Sequence, residues 1–77
     1  MMQYGEISID AEVMNGAPVF AGTRVLVQTF FEYLEGGEDI AEFLDDFPSV
    51  SKESALAVLE MARKALTTEK LLDENFG

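Results

Sequence analysis

The chain contains no cysteine, no histidine and no tryptophan among its 77 residues, and it carries only 5 Lys+Arg against 15 Asp+Glu. Each shortage removes a class of chemistry. Without Cys there is neither a disulfide framework nor a thiolate nucleophile. Without His there is no Ser-His-Asp or Cys-His machinery and no imidazole base near neutral pH. Zinc sites built from Cys and His are excluded on the same ground. No apolar run approaches the roughly 20 residues that a membrane-spanning helix needs. The opening MMQYGEISID lacks the positive and apolar regions of a secretory signal. The expectation is a soluble cytoplasmic protein that takes no cofactor, is not an enzyme and does not enter a membrane.

What remains is apolar enough to fold. The hydrophobic content of 48% is too high for a disordered tail, even at a net charge of −10. The length allows a single domain over residues 1–77. With no disulfide to brace it, the core must come from apolar packing, helped by self-association.

The first part of the chain, residues 5–25, has the character of a small β-element of two short strands. Ile7-Ser8-Ile9-Asp10 alternates apolar and polar residues, as a half-buried strand does. Asn15-Gly16 is a turn signal, since both residues tolerate positive φ. Pro18-Val19-Phe20 restarts an extended stretch, and Ala21-Gly22-Thr23-Arg24 turns it.

From Leu26 the period becomes helical, and three helices are expected within residues 26–66. Val27, Phe30, Phe31 and Leu34 form one apolar stripe, closed by Gly36-Gly37. Ile40, Phe43, Leu44 and Phe47 repeat the spacing between an N-cap at Asp39, with Glu42 as its reciprocal partner, and a stop at Pro48. Ser51 is the N-cap of a third helix, with Val50 stapled against Ala55 and a stripe of Ala55, Val58, Leu59, Ala62 and Leu66. The class is therefore mainly α with a short N-terminal β-element, and the last two helices have the outline of a helix-turn-helix. A plain three-helix core fits the same pattern.

The segment Asn15-Gly16-Ala17-Pro18-Val19-Phe20-Ala21-Gly22-Thr23-Arg24-Val25 resembles the signature of the bacterial domain-of-unknown-function family numbered 433. Tyr33-Leu34-Glu35-Gly36-Gly37, Glu42-Phe43-Leu44-Asp45-Asp46-Phe47-Pro48 and Ser51-Lys52-Glu53 follow that family's blocks in order. The resemblance implies a three-helix, homeodomain-like helix-turn-helix bundle. It also implies an antitoxin paired with a small PIN-like ribonuclease toxin. Ala17 and Ala21 stand where relatives often carry basic residues, and Leu26 where Pro is usual, so the turn holds less positive charge than the family pattern.

Charge argues against unaided nucleic-acid binding. Residues 32–46 carry Glu32, Glu35, Glu38, Asp39, Glu42, Asp45 and Asp46 with no cation among them. Phosphate contacts need Lys and Arg, and the start of the third helix offers only Ser51, Lys52 and Ser54. Binding of nucleic acid by the lone chain is expected to be weak or absent. A dimeric helix-turn-helix transcriptional regulator using those three residues is the alternative function. Glu38, Glu42 and Asp45/Asp46 share a helix face, but nothing has the form of a cation-binding loop, so a solvated acidic face is expected.

Protein contacts are better supported. Nine of the fifteen residues from Lys52 to Leu66 are apolar, and Leu56, Ala57 and Met61 fall outside the stripe. So small a domain cannot cover a helix on all sides, which leaves a Leu56/Met61 face for a homodimer or another partner. In the tail, residues 67–77, the apolar Leu71, Leu72 and Phe76 could anchor on a partner or pack back on the domain. Arg24 is expected either to pair with the acidic helices or to reach into a partner's carboxylate-lined centre.

Overall fold

The computed structural model describes residues 1–68. Three short strands open the chain: β1 (Met2–Tyr4), β2 (Ile7–Ile9) and β3 (Val19–Phe20). Three helices follow: α1 (Val27–Glu35), α2 (Ile40–Asp46) and α3 (Lys52–Leu66). The chain is mainly α with a short N-terminal β-element, as its periodicity predicts. The expected two strands are three, because β1 lies ahead of the alternating segment. Its MQY is too short for its alternation to mark a strand, and it is held by pairing with β2.

The sheet is antiparallel, in the order β1-β2-β3. Met2 faces Ile9, Gln3 faces Ser8 and Tyr4 faces Ile7, while Ile7 also faces Phe20. Gly5 turns the first hairpin with φ 58°, a value L-residues rarely adopt. Between β2 and β3 the chain passes through a short 3₁₀ turn, Met14–Gly16, in which Met14, Asn15 and Gly16 all have positive φ. The Asn-Gly signal is thus a turn, though not a tight hairpin.

α1 begins without a side-chain cap. The Val27 amide instead donates to the Pro18 carbonyl at 3.0 Å, which ties the helix start to the sheet. Its end is a Schellman motif: the Glu38 amide donates to the Tyr33 carbonyl at 2.9 Å and the Gly37 amide to the Leu34 carbonyl at 3.1 Å, with Gly37 at φ 89°. Asp39 caps α2 by accepting from the Glu42 amide, and Ser51 caps α3 by accepting from the Ser54 amide. The reciprocal half of the expected capping box differs. The Glu42 carboxyl instead lies beside that of Glu38, which raises its pKa.

The core joins every layer. Phe20 from β3, Phe30 from α1 and Phe43 from α2 are buried together with Val50, Ala55 and Val58. The three rings meet at centroid separations of 5.8, 5.8 and 4.9 Å. Such tilted and edge-on pairs add to the burial of apolar area itself. Tyr33 and Phe47 extend the cluster, each packing on Phe43 and on the other. Val50 and Ala55 bury as the staple requires. Of the predicted α3 stripe, Ala55 and Val58 are buried and Leu66 remains 67% exposed, because α3 outruns the domain it packs on.

Candidate functional site

Arg24 follows the Gly22 turn, where φ is 78° and a Cβ would meet nothing within 4 Å. Thr23 locks this turn from inside: its hydroxyl donates to the Phe20 carbonyl at 2.8 Å and accepts from the Val25 amide at 3.0 Å. Arg24 itself is exposed. Pairing with the acidic helices was one expectation for it, and the structure departs from that. Among the described residues the ion pair is between Arg63 and Glu60, one turn apart on α3, and no carboxylate reaches Arg24. Arg24 instead borders a cleft formed with Thr23, Leu26, Thr29, Phe47 and Ser49, where the turn between α2 and α3 meets the start of α1.

The start of α3 is already occupied. The Ser51 hydroxyl caps the Ser54 amide at 3.0 Å and donates to the Ser54 hydroxyl at 3.0 Å. The Ser54 hydroxyl in turn donates to the Glu6 carboxylate at 2.9 Å, across 48 residues of sequence. A carboxylate from the β1-β2 turn therefore stands at the helix end where a phosphate would be received. Of the three residues expected to contact nucleic acid, only Lys52 keeps its side chain outside this network. Glu6 has no local sequence signal, because nothing in the chain between it and Ser54 announces their meeting.

Lys52 borders a second groove, lined by Leu34, Asp39, Ile40, Ala41 and Leu44. The lining is mostly apolar, with one charge of each sign at its rim. Sequence periodicity assigns Leu34, Ile40 and Leu44 to the core; they pack against it while also forming this groove.

The acidic face lies on α1 and α2. The Tyr33 hydroxyl donates to Asp46 at 2.5 Å. That bond, with burial and the charges of Asp46, Glu38 and Glu42, pushes the Tyr33 pKa up to about 12. The Glu42 carboxyl is pushed up to about 6, first by its hydrogen bond and repulsion with Glu38, then by desolvation and by Asp39 and Asp46. On α3 the Arg63 guanidinium lowers the Glu60 pKa. Among the described residues no group of three or more His, Cys, Asp or Glu side chains is arranged to hold a metal ion.

Leu56 and Met61 are both exposed, but they do not form the single face expected of them. Five residues apart on a helix of about 100° per residue, they lie about 140° apart around the axis. They flank the buried stripe on opposite sides. Met61 adjoins the β-hairpin, its Sδ 3.9 Å from where a Cβ on Gly5 would stand, whereas Leu56 lies one turn beyond Lys52. Leu71, Leu72 and Phe76 lie outside the described residues.

These features define a small mainly α domain fronted by a three-stranded sheet. The family model described as "Protein of unknown function (DUF433)" matches residues 7–62, and the chain belongs to that family. No curated protein and no solved structure matches the chain. No helix among the described residues is long and apolar enough to cross a membrane.

Proposed function

We propose that the chain is an antitoxin-type binding protein that neutralises a small, PIN-like ribonuclease by stoichiometric association in the cytoplasm, without catalysis of its own. The observation that carries this reading is the charge distribution. Seven carboxylates between Glu32 and Asp46 have no cationic partner among the described residues, while Arg24 stands alone beside a cleft. An acidic face of this kind attracts a basic polypeptide over distance. An unpaired guanidinium then suits a cluster of carboxylates on the partner, such as a metal-dependent nuclease centre presents. Leu56 and the groove beside Lys52 supply apolar anchoring area. Regulation of its own operator, if the pair has one, would fall to the complex, with the partner supplying positive charge.

A stand-alone transcriptional regulator is less well supported, because Ser51 and Ser54 are bonded to each other and to Glu6. The deciding experiment is affinity capture of the tagged chain from its host, followed by a nuclease assay on the captured partner. The expected result is a ribonuclease that is silent in the complex. Arg24→Ala should keep the fold yet weaken neutralisation by at least about tenfold, as losing one member of an interfacial charge pair does. Full neutralisation by that variant removes Arg24 from the interface, and capture of no nuclease rejects the proposal.

A further inference from the structure

We infer that β1 is the self-association edge of this chain: a second copy pairs its own β1 antiparallel to it across a two-fold axis, and the pairing covers Met2, Tyr4 and Met61. In the strand order β1-β2-β3, one side of β1 is bonded to β2 and the other is bonded to nothing among the described residues. A free edge of this kind is a template for another strand, and folded proteins usually blunt it with Lys, Pro, a bulge or an inward charge. The sequence Met2-Gln3-Tyr4 has none of these.

The side chains point to the same occupant. Met2 and Tyr4 stand opposite Ile9 and Ile7, so they continue the row that leads through Phe20 into the core. The row is left partly uncovered, with Met2 54% and Tyr4 50% exposed. Met61 meets the same hairpin at Gly5. The result is an apolar strip running from strand to helix.

Charge decides between a second copy and a different partner. Residues 1–5 contain no carboxylate, and the first one, Glu6, is turned to Ser54. Two copies at −10 each repel over most of their surfaces, and here they can meet without opposing acids. A basic partner finds nothing to attract it at this edge and everything to attract it on α1 and α2. An antiparallel pair of identical edges is, moreover, self-complementary under two-fold symmetry. Gln3, the middle residue of β1, would lie at or near the axis.

This inference specifies the surface for self-association and does not depend on the identity of any toxin. The chain's lack of cysteine allows a direct test. Gln3→Cys should form a disulfide-linked dimer under mild oxidation, since paired strands hold Cα atoms within about 6 Å. Leu56→Cys, on the far flank of α3, should remain unlinked. Light scattering at about 100 µM protein should give a dimeric mass for the unaltered chain. The double variant Met2→Lys with Tyr4→Lys should weaken the dimer by about tenfold or more at unchanged far-UV circular dichroism. Should that variant fail to fold, the cysteine pair still decides. A monomeric unaltered chain, cross-linking through position 56 in place of position 3, or a dimer indifferent to both lysines overturns the inference. None of these outcomes bears on whether a nuclease is captured.

Discussion

Arg24 and Glu42 illustrate how much a single side chain owes to its neighbours. Arg24 sits in a chain with a threefold excess of acids, yet it forms no ion pair with any of them among the described residues. Glu42 is the opposite case: an ordinary helix residue whose carboxyl is crowded by Glu38, Asp39 and Asp46 until its pKa reaches about 6. In the unfolded chain those neighbours disperse and the pKa falls back toward 4.5. The folded form therefore holds this proton more tightly, and by linkage Glu42 favours folding fully at low pH and loses that contribution as pH rises through about 6. The unfolding midpoint in urea should rise as pH is lowered from 7 to 5, and Glu42→Gln should flatten this rise over the same window. An unchanged slope in that variant would reject the assignment.

Among the elements, α3 is the one whose surroundings its sequence describes least. Its cap at Ser51 and its buried Ala55 and Val58 are local matters, set by a short polar side chain and by 3.6-residue spacing. Its N-terminal end is also held by Glu6 from the hairpin, so one hydroxyl relay joins the sheet to the last helix. Ser51→Ala removes both the cap and the first link of that relay, and should lower stability by about 1 kcal/mol in chemical denaturation. Glu6→Gln should be milder, since the amide oxygen still accepts from Ser54. If the second variant proves more damaging than the first, the cap is not what holds this end of α3. α1 shows the contrasting behaviour: its Gly36-Gly37 stop is legible in the sequence because the Schellman geometry involves only neighbouring residues.

As a whole the molecule is an electrostatic object. Its helices display uncompensated carboxylates, and the helix end best placed to receive a phosphate already holds one of its own acids. In a gel shift at physiological salt the lone chain should leave duplex DNA free, because counterion release needs cations and the chain carries 5 Lys+Arg against 15 Asp+Glu. A sub-micromolar shift that fades with added salt would contradict this. Binding of a basic protein partner should weaken as salt is raised, since the long-range attraction is screened.

Length, composition and periodicity established the helices, their caps and stops, and the family signature, because each of these depends on residues within a turn or two of one another. The aromatic core was legible for the same reason: Phe20, Phe30 and Phe43 each lie on an apolar stripe or strand before any fold is known. Contacts between distant segments were not. The strand at Met2, the bond from Ser54 to Glu6, the isolation of Arg24 and the separation of Leu56 from Met61 all follow from how the elements stack. Spacing along a chain says which residues share a helix face, but packing alone assigns each face to core, neighbour or water.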